Sequence, residues 1–246
     1  MPINAPMKRS GFNQELYSIS ATKKEEIGTL RITQDGRKFR YARAGATLSA
    51  GKMGQAVAIA ANVMNEAPTA ADVIGETSIL FTAGGAVSYA ENYFAGGHYH
   101  INAGAGPLGH SYPIKTSSAV SAGTAIYIEL EQGLLVANIV ASTKVTLVHS
   151  PWMGVIEAAV EENLACGVPL VAVTDQYYYW AQTGGAACAL TTAASGIGTG
   201  LILSATVAGS LDAQVTPKDV DEPVWAVVWG TAGEVGCYKP VWLTID

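Results

Sequence analysis

His98, Tyr99 and His100 stand together, and His110 follows ten residues on. On an extended strand, residues i and i+2 share a face, so His98 and His100 could present two imidazoles to one metal ion. Gly96 and Gly97 before them, and Gly104 and Gly106 after, would let the backbone approach closely. No carboxylate lies nearby to orient the rings. The reading adopted is therefore the polar face of a glycine-rich strand or loop, with no metal and no cofactor. Gly196, Gly198 and Gly200 resemble half of a dinucleotide fingerprint. A working fingerprint needs a helix after the glycines. Here residues 201–207 read as a strand, so the glycines read as a β-turn. No serine or cysteine sits in a nucleophile signature. Glu161 and Glu162 are adjacent, so on a strand they point to opposite faces and share no proton. No acid–base constellation emerges, and the expectation is that the chain is not an enzyme.

Two further groups could bind rather than react. Arg31, Arg37, Lys38, Arg40 and Arg43 form a basic cluster with Phe39 and Tyr41 interleaved. On a strand, Lys38 and Arg40 share one face, and Arg37, Phe39, Tyr41 and Arg43 the other. Basic residues with aromatics suit nucleic acid, but the whole chain is acidic, at net −6. The remaining readings are docking onto an acidic partner or neighbouring copy, and a solvated edge hairpin protected by its charges. The aromatic run at residues 177–180, with Tyr178 and Trp180, suits a sugar-stacking platform, a core or an oligomer interface. Arg31, Arg37, Lys38, Arg40, Arg43, Tyr178 and Trp180 are the candidate partner-binding residues.

The elements that must position these residues read as short strands. Residues 29–33 and 37–43 alternate around a turn at Asp35-Gly36, a hairpin signal. Residues 55–65 are ambiguous and read as strand. Residues 77–82 form a run closed by Gly84-Gly85. Residues 125–130, 144–149, 168–174, 224–229 and 241–245 follow, the last run ending in Trp242, Leu243, Thr244 and Ile245. Residues 156–164 suit either a helix or a strand with a turn. Short runs separated by glycine-rich turns predict an all-β fold, a sandwich or barrel of short antiparallel strands. Residues 1–28, polar with Pro2 and Pro6, read as an extended basic N-terminal arm. Residues 29–150 and 151–246 read as two β-rich regions, or as one continuous domain over 29–246.

Charged residues make up 14% of the chain, against about 25% in a typical soluble domain. That leaves little charge to coat an isolated surface, and predicts burial against partners. Ten of the 14 Lys and Arg lie in residues 1–52 with four acids, net +6; the rest carries four bases and 16 acids, net −12. Cys166, Cys188 and Cys237 are an odd set without a CxxC, which gives no disulfide framework. No secretory signal is legible in residues 1–14, and no membrane span in the uncharged stretch 176–211.

Residues 35–52, from Asp35-Gly36-Arg37 to Gly51-Lys52, resemble the opening segment of virion structural proteins of tailed phages. So do residues 167–173, residues 178–184 with the Ala-rich run after them, and residues 109–114 ahead of a turn at 121–124. These phrases touch about a third of the chain. The resemblance implies a β-rich capsid decoration or cement protein on the capsid exterior, assembled in the host cytoplasm. Its partners would be the major capsid protein and further copies of itself, a homo-oligomer such as a trimer, with no nucleic acid and no membrane. The shell protein carries a long spine helix, which is not legible here. The alternative is a receptor- or glycan-binding domain of a phage tail or head fibre.

Overall fold

The structure is a computed structural model describing residues 11–68, 71–131, 135–159, 163–192, 196–214, 222–230 and 236–246. The first hairpin forms as its pattern demands. Gly36 takes a φ of +82°, which glycine adopts without strain, and its N–H bonds Thr33 O at 3.0 Å. The turn joins β1 (Leu30–Ile32) to β2 (Lys38–Ala44), and β3 (Gly54–Gln55) is short. Next come β4 (Ser78–Tyr89), β5 (His98–Ala103), β6 (Ser111–Ser117), β7 (Val120–Leu130) and β8 (Lys144–Val148). They are followed by β9 (Met153–Glu157), β10 (Ala165–Pro169), β11 (Tyr178–Thr191) and β12 (Gly200–Leu203). The last three are β13 (Leu211–Ala213), β14 (Ala226–Val228) and β15 (Cys237–Thr244). The protein is all-β, with no helix longer than one 3-10 turn among the described residues. Among the described residues no helix is long and apolar enough to cross a membrane.

Several elements differ from the sequence pattern. The strand expected over 55–65 stops at Gln55, and a 3-10 turn covers Ala61–Val63. Val63 is buried in a core there and Ile59 packs against it, so the alternation marks anchors rather than a ladder. The turn expected at Gly84-Gly85 lies inside β4, where the register with β7 shifts between Thr82 and Val87. The two missing Cβ atoms leave room for the side chains of Glu66 and Asn62. The strand expected over 168–174 lies earlier, at Ala165–Pro169, and ends on a proline that has no N–H for a ladder. Residues 153–157 are strand; of the 156–164 candidate helix, residues 160–162, with Glu161 and Glu162, lie outside the described residues. The first ten residues of the arm lie outside them too.

The chain divides twice, after Gln55 and after Val155, where the sequence alone suggests one division near residue 150 or none. Unit 1 combines the residues up to Gln55 with Ile156–Asp246. Its spine is β11. Gly184 pairs with Lys38 of β2 and with Thr244 of β15, so those two strands lie on opposite edges of β11. From β11 the sheet continues through β15, β14, β12 and β13 and returns to β11 by a parallel pairing at Thr191 and Leu211. That parallel step departs from the antiparallel pattern expected. Leu201, Leu203, Leu211, Val228, Val241 and Leu243 fill the interior of this ring.

Unit 2, Ala56–Val155, is one antiparallel sheet in the order β4-β7-β6-β5-β8. Phe81, Tyr99, Ile114, Ile126, Ile128 and Leu147 alternate onto its buried face. Beside this core, Asp72 pairs through its backbone with Ile139 and is only 9% exposed. Among the described residues its Oδ2 has no hydrogen-bond partner. Burial first, and the charge of Glu76 second, push its carboxyl up to about 6. The folded chain therefore holds this proton more tightly than the unfolded chain. Ionising Asp72 costs stability above that value, and the cost is gone below the ordinary carboxylate range. Asp72→Asn should stabilise unit 2 by on the order of 1–3 kcal/mol near pH 8. The gain should shrink as pH falls from about 6 to 4 and then vanish. Thermal melting of both proteins across pH checks this; a difference independent of pH would contradict it.

Candidate interaction surface

The basic and aromatic candidates lie on β1, β2 and β11 of unit 1, with Arg37 in the turn between β1 and β2. Register puts Trp180 opposite Tyr41 and Tyr178 opposite Arg43. Trp180 is 1% exposed. Its ring meets Phe12 edge-on at 5.2 Å and Tyr41 at 5.1 Å. Arg31, 8% exposed, lies between two of these rings, its Cζ 4.9 Å from the centre of Phe12 and 5.5 Å from that of Trp180. Gln14 joins them. Its backbone carbonyl accepts from Arg31 Nη1 at 2.9 Å and Trp180 Nε1 at 3.0 Å. Its side-chain oxygen accepts from Tyr41 Oη at 2.6 Å, and its Nε2 donates to Ser18 O and Tyr178 O. Burial lowers the affinity of Arg31 for its proton and pushes the Tyr41 phenol up to about 12. Arg31 and Trp180 are thus interior groups. Trp180 is closed to a sugar ring; of the readings open for 177–180, core fits Tyr179 and Trp180, while Tyr177 and Tyr178 are half-buried.

The other four bases are half-buried and engaged within the chain. Arg37 Nε bonds Asp35 Oδ2 at 2.7 Å, its guanidinium also meets the Tyr17 hydroxyl, and its Cζ lies 5.5 Å from the Phe39 ring centre. Arg40 grips Asp246 through two bonds, Nε to Oδ2 at 2.8 Å and Nη2 to Oδ1 at 3.1 Å, a fork-on-carboxylate geometry. Burial opposes charge on Asp246, but hydrogen bonds from Arg40 and Thr183 outweigh it and hold the carboxyl below its ordinary value. Arg43 Cζ lies 5.9 Å from the Tyr178 ring centre, and Tyr178 stacks on Tyr41. The stem of Lys38 covers Gly184, its charge adding to the field at Asp246. The cluster comes together as an internal fastening for residues 11–28 and the C-terminal strand.

The apolar surface that faces outward lies elsewhere on unit 1. Along β15, Lys239, Val241 and Leu243 turn inward, which forces Tyr238, Pro240 and Trp242 outward. Register sets Trp242 beside Ala186 of β11 and Val227 of β14, and Pro240 beside Cys188. Trp229, just past β14, reaches Trp242 edge-on at 6.3 Å. Its N–H bonds Pro240 O at 3.2 Å, and so does that of Gly230 at 3.1 Å. Gly230 lies against the Pro240 ring, where a Cβ would collide. Trp229, Tyr238 and Trp242 are 59%, 50% and 48% exposed. The face runs into a cleft of about 540 Å³ lined by Tyr17, Arg37, Leu170, Cys188, Tyr238 and Pro240. Cys188 presents an exposed free thiol there.

No protein-family model, curated protein or solved structure matches this chain.

In unit 2, His98 and His100 project from one face of β5, ring centres 5.6 Å apart and planes 13° apart. Burial, then the neighbouring His98, lowers the affinity of His100 for its proton. His110 is not with them; its Nδ1 meets Tyr112 Oη at 3.0 Å. Among the described residues no three His, Cys, Asp or Glu side chains gather into a closed metal centre. The glycines at 196–200 form a turn, with Thr199 N–H bonding Gly196 O, and lead into β12.

Trp229, Tyr238, Pro240, Trp242 and Cys188 were not among the candidate partner-binding residues read from the sequence. The signal is the alternation of β15, but alternation alone does not say which face is buried, and tryptophans usually mark the inside. The two sets of aromatics should separate under mutation. Trp180→Ala should cost about 3–5 kcal/mol of unfolding free energy, and Gln14→Ala about 1–3 kcal/mol through the lost hydrogen bonds. Trp242→Ser and Trp229→Ser should each stay within about 1 kcal/mol. Chemical denaturation measures all four; a Trp180→Ala protein as stable as the parent would contradict the core assignment.

Proposed function

We propose that this chain is a structural virion protein that binds and stabilises the outside of a tailed-phage capsid as a decoration or cement protein. The observation carrying the reading is the outward aromatic face of Trp229, Tyr238, Pro240 and Trp242, continuous with the cleft beside it. A soluble surface rarely leaves two indoles and a phenol together without a partner. Trp and Tyr are also the side chains that dominate interface energies when a partner desolvates them. The low charge content, 14%, is in keeping with a surface that is covered in use. The partners are the major capsid protein and neighbouring copies of the chain, with trimers as the assembly the reading favours.

Mixing the purified chain with undecorated capsids tests it. Saturable binding is expected, and Trp229→Ser with Trp242→Ser should abolish it while the melting temperature holds. Binding that never saturates, or that survives the double substitution, would contradict the assignment of this face. Sedimentation should find oligomers at micromolar concentration, and a monomer would count against self-assembly. The glycan-binding reading has one observation of its own, the exposed indole pair, now at Trp229 and Trp242 in place of Trp180. It predicts that the same double substitution abolishes adsorption to cells or glycans and leaves capsid binding absent in both proteins.

A further inference from the structure

β5 is held on both edges. His98 pairs with Pro113 of β6 and Val148 of β8, and His100 with Ser111 and Thr146. Tyr99 and Ile101 anchor the strand in the core of unit 2. Gly97 approaches the Val148 carbonyl so closely that a Cβ would overlap it, and Gly104, at φ +84°, does the same against Ser142 O. A side chain at either point would push β5 off β8. The backbone under the two histidines is therefore fixed, and their rings stand parallel, facing out. The cross-strand neighbours on this face, Pro113, Val148, Ser111 and Thr146, carry no charge. Thr146 Oγ1 is already taken, accepting from Asn65 N and from Asn102 Nδ2.

We propose that His98 and His100 form a two-imidazole chelate for a divalent transition-metal ion of the zinc, nickel and copper class. An ion bound by two adjacent imidazoles at about 2.0–2.1 Å sets the ring centres about 4.5–5 Å apart. The observed centres are 5.6 Å apart and the planes 13° apart, so taking up an ion means turning the two rings until it lies in both planes. Imidazole nitrogen selects this class over magnesium and calcium, which take oxygen ligands. Two protein ligands leave the other positions to water or to a donor from another molecule, so the site is an open surface chelate rather than a closed structural centre. It is independent of the capsid reading.

Calorimetric titration of the untagged full chain with Ni²⁺ near pH 7.5 is the test. One ion per chain is expected, and none with Mg²⁺. His98→Ala and His100→Ala should each weaken binding by roughly tenfold or more, because losing one tooth turns a chelate into a single contact. His110→Ala should leave the affinity unchanged. In NMR spectra, the His98 and His100 ring signals should broaden together on adding Ni²⁺. Parental affinity in both single variants, or broadening confined to other histidines, would overturn the proposal.

Discussion

The pairing of β11 is the constraint on which unit 1 depends. Fourteen residues of one strand hold β2 along one edge and β10 and β15 along the other. Gly184 and Gly185 sit where the pairing changes hands. Gly185 has a φ of +82°, and Gly184 has Lys38 packed directly above it. Once that register is set, Val241 and Leu243 must enter the ring, and Pro240 and Trp242 must leave it. A slip of one residue would reverse both sets. The outward aromatic face is thus a geometric consequence of core packing. Its chemistry needs a separate reason, and binding supplies one.

The same constraint accounts for the basic residues. Arg40 reaches Asp246 because β2 and β15 flank β11 at Gly184. Arg31 reaches Gln14 because the hairpin lies over residues 11–20. A buried cation with aromatic faces and a carbonyl acceptor is a specific fastening, and removing a partner strands a charge in the interior. These residues hold the chain to itself, and the surface left for another molecule is apolar.

Part of this was legible from sequence. The β1–β2 hairpin followed from Asp35-Gly36 and alternating neighbours, because a short glycine turn and a period of two are local facts. The all-β class followed likewise. The order of strands was not legible, since pairing residue 38 with 184 and 184 with 244 is a matter of long-range register. Gly84-Gly85 misled because glycine marks both turns and bulges, and only the side chains of Glu66 and Asn62 distinguish them. Trp180 misled: it sits in a strand rich in apolar residues, as the outward Trp242 does, and the buried one was the candidate for the surface. His98 and His100 were legible as a pair on one face, since only the two-residue period was needed.

Hydroxyl-radical footprinting of the chain, free and bound to capsids, addresses the outward face most directly. Oxidation of Trp229, Tyr238 and Trp242 should fall sharply on binding, while Tyr127, exposed on unit 2, keeps its rate. Equal oxidation of the three aromatics in both states, with protection appearing at Tyr127 instead, would contradict the account.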